Sequence, residues 1–234
     1  MKRKLWLMYL LFVLAALDVI GMDMVRTRAV CAYGASEGVE AEKAAEDDAG
    51  VQKSWHDGTP PEALAGVIRD ELRVFPIPIS GTHPDYRAEF EDSWMSPRSF
   101  GGERGHEGVD IMLYPAKRGL FPVLSMTDGV VEKKGWLPKG GYRLGVRSAG
   151  GVYYYYAHLF DYAPDIAEGT KVRAGQLLGF AGDSGYSNIE GTVGNFAVHL
   201  HVGIYYDDED GNETSINPYE FLVSLESEKK ELEF

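Results

Sequence analysis

The 234-residue chain has a single cysteine, Cys31, and few basic residues: 23 Lys and Arg stand against 36 Asp and Glu, a formal net charge of −13. One cysteine excludes an intramolecular disulfide and any cysteine-based zinc cluster, so a metal site must be assembled from His, Asp and Glu. A lipid attachment at Cys31 is disfavoured as well, because Arg28 occupies the upstream position where such signals carry an aliphatic residue. The acidic balance argues against nucleic acid as a partner, since proteins grip polyanions through Lys and Arg contacts that release counterions. Long apolar runs are confined to the N-terminus. Helical periodicity is nearly absent beyond residue 75 until Pro218–Leu225.

What is present begins with Met1-Lys2-Arg3-Lys4, a basic stretch followed by unbroken apolar sequence from Leu5 to Leu17. This is the pattern of an export signal. Val19 and Ile20 extend it past Asp18 towards bilayer length, so residues 1–31 are expected to be either a cleaved signal peptide or an anchor in the cytoplasmic membrane. From Ser36 to about Pro61 the chain turns to Glu, Asp, Ala and Gly, too poor in aliphatics to fold alone, and is expected to form a flexible acidic linker. Behind Pro60 and Pro61, the spacing of Leu64, Val67, Ile68, Leu72 and Val74 predicts a short helix over 62–75. That segment leads into the domain, or alternatively packs over an active site as an inhibitory pro-segment.

Beyond Phe75, short β-rich runs are separated by glycine- or proline-containing turns: Val109–Leu113, Val130–Glu132, Leu144–Arg147, Val152–His158 and Val198–Tyr206. The expected fold class is mostly β, a small antiparallel sheet domain over 75–223 with a groove between its turns. The hydrophobic N-terminal helix and the linker with its short helix (32–74) precede it, and a charged tail over 224–234 is expected to fray.

Six histidines are present, and four of them, His106, His158, His199 and His201, lie beside glycines or on predicted strands. His56 and His83 sit in polar sequence and are expected at the surface. In Val198-His199-Leu200-His201-Val202, alternation places both imidazoles on one face, about 6.6 Å apart at their Cα atoms, with Val198, Leu200 and Val202 towards the core. In Gly105-His106-Glu107-Gly108-Val109-Asp110-Ile111 the glycines and β-branched residues favour a loop entering a strand, so a bend near Gly108 must bring Asp110 back towards His106. The string approaches the His-Glu-x-x-His pattern of helical zinc peptidases, but Asp110 stands at its fifth position and the glycines disfavour a helix; Glu107 reads as a surface residue. His106, Asp110 and one of His199 or His201 make three N/O ligands, the set of a catalytic zinc site that keeps its fourth position for water. Such a site needs a proton acceptor and an oxyanion stabiliser, and histidine is the natural candidate for both. In Tyr153-Tyr154-Tyr155-Tyr156-Ala157-His158, strict alternation would set His158 on the face of Tyr154 and Tyr156, opposite Tyr153 and Tyr155.

The strings HEGVD, YYYYAHL and VHLHVGI, in that order, resemble the three signature motifs of the lysostaphin-type zinc metallopeptidases, the LytM-like peptidoglycan endopeptidases. The resemblance extends through Trp94-Met95-Ser96-Pro97-Arg98, Asp128-Gly129-Val130-Val131, Gly175-Gln176-Leu177-Leu178-Gly179 and Gly182-Asp183-Ser184-Gly185, covering roughly 75–222. It implies a narrow groove with one zinc ion per chain, held by His106, Asp110 and His201. It implies catalytic assistance from His158 and His199, with either as the base, and cleavage of stem or cross-bridge peptides of bacterial peptidoglycan outside the cytoplasmic membrane. Val198 stands where many members carry a small residue or proline, and the stretch 187–196 lengthens a neighbouring loop; both bear on substrate preference. Relatives that lost ligands act as scaffolds or activators, so a non-enzymatic wall-binding or partner-activating module is the alternative. Gly182-Asp183-Ser184-Gly185 also resembles the surroundings of a serine nucleophile, but that string alone is weak.

Overall fold

A computed structural model describes residues 57–234, and the predicted N-terminal signal or anchor, most of the acidic linker and His56 lie outside the described residues. No helix among the described residues is long and apolar enough to cross a membrane. The fold is mostly β, as the sequence predicts, with two α-helices among the described residues.

Helix α1 (Glu62–Glu71) starts behind the Pro60-Pro61 pair and buries Ala65 and Ile68. It stops four residues short of the expected end, because Leu72 turns extended and the Arg73 amide bonds to the Met126 carbonyl. Residues 72–77 then run as a strap whose Val74, Phe75 and Ile77 are buried. At the end of the helix, Glu71 accepts from the Gly150 amide and the Tyr154 hydroxyl, so α1 is anchored to the turn before Tyr153 as part of the core. That placement does not fit a pro-segment over the histidines.

The main sheet holds ten strands among the described residues, and all its pairings are antiparallel. Its principal path runs through Lys171–Val172 (β10), Gly129–Leu137 (β7), Gly141–Arg147 (β8), Tyr153–Tyr162 (β9), His199–Asp207 (β12), Val109–Tyr114 (β5) and Arg87–Glu89 (β2). Leu177–Ala181 (β11) joins β9 to Pro122–Leu124 (β6), and Glu213–Ile216 (β13) pairs with β12. A two-residue hairpin, Pro97–Arg98 (β3) with Arg104–Gly105 (β4), stands apart. In β5, Val109, Ile111 and Leu113 are buried, while Asp110 and Met112 face the other side. In β12, Leu200 and Val202 join Val198 in the core, as alternation predicts. Tyr154 and Tyr156 are also fully buried, and the Tyr156 hydroxyl accepts from the Met126 amide. Burying a phenol is tolerable only with such a partner.

The C-terminal stretch differs from the frayed tail expected of its charge. After helix α2 (Tyr219–Ser224) and a 3₁₀ turn (Glu226–Glu228), Glu231–Leu232 (β14) pairs in parallel with Ile79–Ser80 (β1). Phe234 packs against Tyr86 and Phe121, and its carbonyl accepts from the Ser80 and Thr82 hydroxyls. Two apolar residues among the charges, Leu225 and Phe234, supply the burial that a count of charges misses.

Candidate metal centre and histidine pair

Strand register assembles the centre. His201 of β12 pairs directly with Asp110 of β5 on one side and with Ala157 of β9 on the other, so all three share a face. His106 arrives from the end of the β3–β4 hairpin, where its amide bonds to the Ser96 carbonyl and its carbonyl accepts from the Met95 amide. The expected bend is made at Gly108. A Cβ there would lie 2.5 Å from His201 Cε1 and 2.5 Å from the Val202 carbonyl oxygen, so no larger residue can let the chain pass so close. The 106–110 stretch is not helical, in agreement with the argument against a helical zinc pattern, and Glu107 is half-buried with its carbonyl accepting from Tyr205.

Three ligand-type atoms converge. His106 Nε2 lies 2.9 Å from His201 Nδ1, and each lies 3.0 Å from Asp110 Oδ1. A tetrahedron with arms of about 2.0–2.1 Å has edges of roughly 3.3 Å, so the spacing is close to that of a zinc-type coordination sphere. The chemistry of the donor set points the same way. His106 Nδ1 faces the Ser93 carbonyl at 3.0 Å and must carry a proton to bond there, which leaves Nε2 as a lone pair aimed at a carboxylate oxygen. Acceptors facing acceptors in a buried place call for a cation, and a histidine fixed by a backbone carbonyl through its other nitrogen is a usual metal-ligand arrangement. Asp110 is further held by Arg98, whose Nη2 donates to Oδ2 at 2.8 Å. Burial alone would raise the Asp110 pKa, but hydrogen bonds to the carboxylate from the side of His106 and His201 outweigh this and hold the carboxyl well below the usual range, the same demand for positive charge at Oδ1 that a cation would meet. Burial pushes His201 down to about 4, against the opposing pull of Asp110.

His158 and His199 form a second group beside the first. Their rings lie 4.8 Å apart between centroids, and His158 is 5.9 Å from His201. Strict alternation placed His158 with Tyr154 and Tyr156 in the core; the structure corrects this. The β8–β9 register slips between the pairs Tyr142–Leu159 and Leu144–Tyr156, a β-bulge, and His158 sits at φ +61°. A residue in the left-handed region within a bulge turns its side chain out of alternation, here onto the face of His199 and His201. His158 Nδ1 donates to the Ser184 carbonyl at 2.8 Å and His199 Nδ1 to the Ala197 carbonyl at 2.8 Å, so in each ring Nε2 is the nitrogen left for chemistry. Burial, with smaller contributions from His199 and His201, holds the His158 pKa well below its ordinary value, so the ring is neutral at pH 7.

The serine-protease alternative fails on geometry. The Ser184 hydroxyl is fully buried, donates to the Leu159 carbonyl at 2.7 Å and accepts from the Tyr142 amide at 3.0 Å. His158 touches the Ser184 carbonyl and not its hydroxyl. His83 is exposed as expected and stacks on Tyr86.

Sequence reasoning did not single out the aromatic side chains around the pair. Phe196 packs against His158 and His199 at 4.6 and 5.1 Å, Tyr186 touches both His158 and Phe196, and Phe100 stacks flat on Tyr186 at 5.0 Å. They come from the β3–β4 and β11–β12 loops, where no periodicity marks them. The β11–β12 loop is itself well bonded: Asp183 receives a two-pronged ion pair from Arg118 and the Gly194 amide, and Asn195 bonds the carbonyls of Gly185 and Tyr186.

Comparison with known proteins places this arrangement in context. Residues 104–218 match Peptidase family M23. The chain is 44% identical over 153 residues to an L-Ala–D-Glu endopeptidase of Bacillus subtilis (strain 168), covering 65% of this chain and 44% of that protein. It is 31% identical over 121 residues to the glycyl-glycine endopeptidase ALE-1 of Staphylococcus capitis, covering 51% of this chain and 29% of that protein. The chain thus spans less than half the length of these curated relatives. A crystal structure from Ruminococcus gnavus ATCC 29149, of a protein described as a glycyl-glycine endopeptidase lytM, superposes with a TM-score of 0.65 at 45% identity, over 71% of this chain and 65% of that one.

Proposed function

Because this chain belongs to Peptidase family M23, the lysostaphin- and LytM-like zinc metallopeptidases, we propose that it is a zinc endopeptidase cutting peptide bonds of bacterial peptidoglycan. The observation that carries the reading is the convergence of His106 Nε2, Asp110 Oδ1 and His201 Nδ1 to within about 3 Å of one another, beside His158 and His199, whose rings are each fixed by a backbone carbonyl at Nδ1. One zinc per chain would be held by His106, Asp110 and His201. When bound there, it supplies a Lewis acid and lowers the pKa of water to about 7.

The chain's own residues then have defined tasks. One of His158 and His199 would take a proton at Nε2 from the attacking water and return it to the leaving amine; the other, carrying on Nε2 a proton taken up from solvent, would donate to the developing oxyanion. The carbonyls of Ser184 and Ala197 fix the ring orientations, so neither histidine must reorganise during the reaction. Phe196 and Tyr186 exclude water from the outer side of the pair. Relatives named for a stem-peptide bond and for a glycine cross-bridge match at similar identity, 44% and 45%, so stem and cross-bridge peptides are both candidate substrates. The N-terminal segment would carry the enzyme across the cytoplasmic membrane, leaving it anchored there or free in the wall, with the acidic linker as a solvated tether.

The test is incubation of the full chain with purified peptidoglycan, with and without a zinc chelator, followed by mass analysis of new amino termini. Chelator-sensitive new amino termini are the expected result, and their masses identify the bond. Tight wall binding without new termini, with zinc bound, would favour the non-enzymatic module.

A further inference from the structure

Arg98 has no part in the roles above, yet it makes the nearest cationic contact of the metal centre. The β3–β4 hairpin pairs Pro97 with Gly105 and Arg98 with Arg104, and its end delivers His106. The same hairpin sends the Arg98 guanidinium to Asp110 Oδ2 at 2.8 Å, in a place where the two side chains are only 23% and 19% exposed. The two carboxylate oxygens are thereby divided. Oδ2 is taken by the guanidinium, and Oδ1 alone faces His106 and His201. A guanidinium stays charged at every working pH, so this cap cannot be titrated away.

Resting on the reading of Asp110 as a metal ligand, we infer that Arg98 is a positioning residue that restricts Asp110 to one ligating oxygen and so holds the centre four-coordinate. A carboxylate can bind a metal through one or both oxygens, and nothing in Asp110 itself selects between them. The charge-assisted hydrogen bond does, and it also fixes the rotamer that keeps Oδ1 level with the two imidazoles. Because one hairpin carries both a ligand, His106, and the brace of another, a disturbance at Arg98 is felt at the metal without either ligand being changed.

Cobalt(II) substitution of the full chain tests this, since four-coordinate cobalt absorbs visible light several-fold more strongly than five-coordinate cobalt. Wild type is expected to show the intense spectrum. Arg98→Met should lose most of that intensity and give up its metal to a chelator about 10- to 100-fold more readily, the usual cost of losing an outer partner of a ligand. Arg98→Lys, which keeps the charge, should recover part of both. If circular dichroism shows that the Met variant does not fold, the same two readouts on Arg98→Gln decide. A variant with the wild-type spectrum and the wild-type rate of metal loss would overturn the inference alone. Failure of wild type to take up cobalt would overturn both this inference and the metal-site reading beneath it.

Discussion

The centre has two halves built by different means. Asp110 and His201 stand on neighbouring strands in direct register, where the two-residue period of a strand and a single cross-strand pair set their positions. His158 is aimed by a departure from that period, a bulge with φ +61°, and His106 by a loop that passes Gly108 at a distance only glycine allows. The first kind of placement is shared with the sheet, so the core of Val109, Ile111, Leu200 and Val202 supports it. The second depends on local bonds to carbonyls, from His106 to Ser93 and from His158 to Ser184. The difference extends to chemistry. The converging trio of His106, Asp110 and His201 calls for a cation, whereas His158 and His199 bond backbone carbonyls through Nδ1 and leave Nε2 for proton handling beside the trio, His199 Nε2 being 3.6 Å from Asp110 Oδ1.

Experiments that separate the halves sharpen this contrast. The largest effect is expected from His106→Ala, Asp110→Ala or His201→Ala, each of which should reduce peptidoglycan cleavage to background in a product assay. His158→Ala and His199→Ala should each lower kcat/KM by about 10² to 10⁴, the range for a lost acid or base, and the double variant should fall little further. Proton uptake gives the next effect, in the chelated protein. His201 is pushed to about 4 in the folded state, and His158 is lowered too. The unfolded chain therefore binds more protons between about pH 6.5 and 4, so the stability from burying neutral imidazoles is complete above 6.5 and drains away as pH falls through that window. The loss should be on the order of 1–3 kcal/mol, read as a melting temperature several degrees lower at pH 4.5 than at pH 7; a flat profile would contradict the burial argument. The smallest catalytic effect belongs to Ser184→Ala. It should leave cleavage within a few-fold of wild type while costing about 1–3 kcal/mol in urea unfolding, because the Tyr142 amide loses its buried partner.

What could be read in advance follows the same division. Alternation in Val198–Tyr206 sets His199 and His201 on one face with Val198, Leu200 and Val202 behind them, while the register of β5 against β12 adds Asp110 to that face. The bend at Gly108 was legible as a requirement, and the glycine explains how it is met. The His158 orientation was not, since nothing in Tyr153–His158 announces a bulge, and its reason lies in the register of β8 against β9. Arg98 and the aromatic group of Phe100, Tyr186 and Phe196 were equally hidden, because they act from loops whose paths are decided by tertiary bonds. The C-terminal strand was misjudged from its charges, when two apolar residues were sufficient to dock it.

The most direct measurement is the zinc content, by elemental analysis, of the wild-type chain and the five single alanine variants at His106, Asp110, His158, His199 and His201. The account predicts one zinc per chain in wild type and in the His158 and His199 variants, and none in the other three. Full occupancy in the His106, Asp110 and His201 variants, or loss of the metal on replacing His158, would contradict the division of the site into a metal-holding and a proton-handling half.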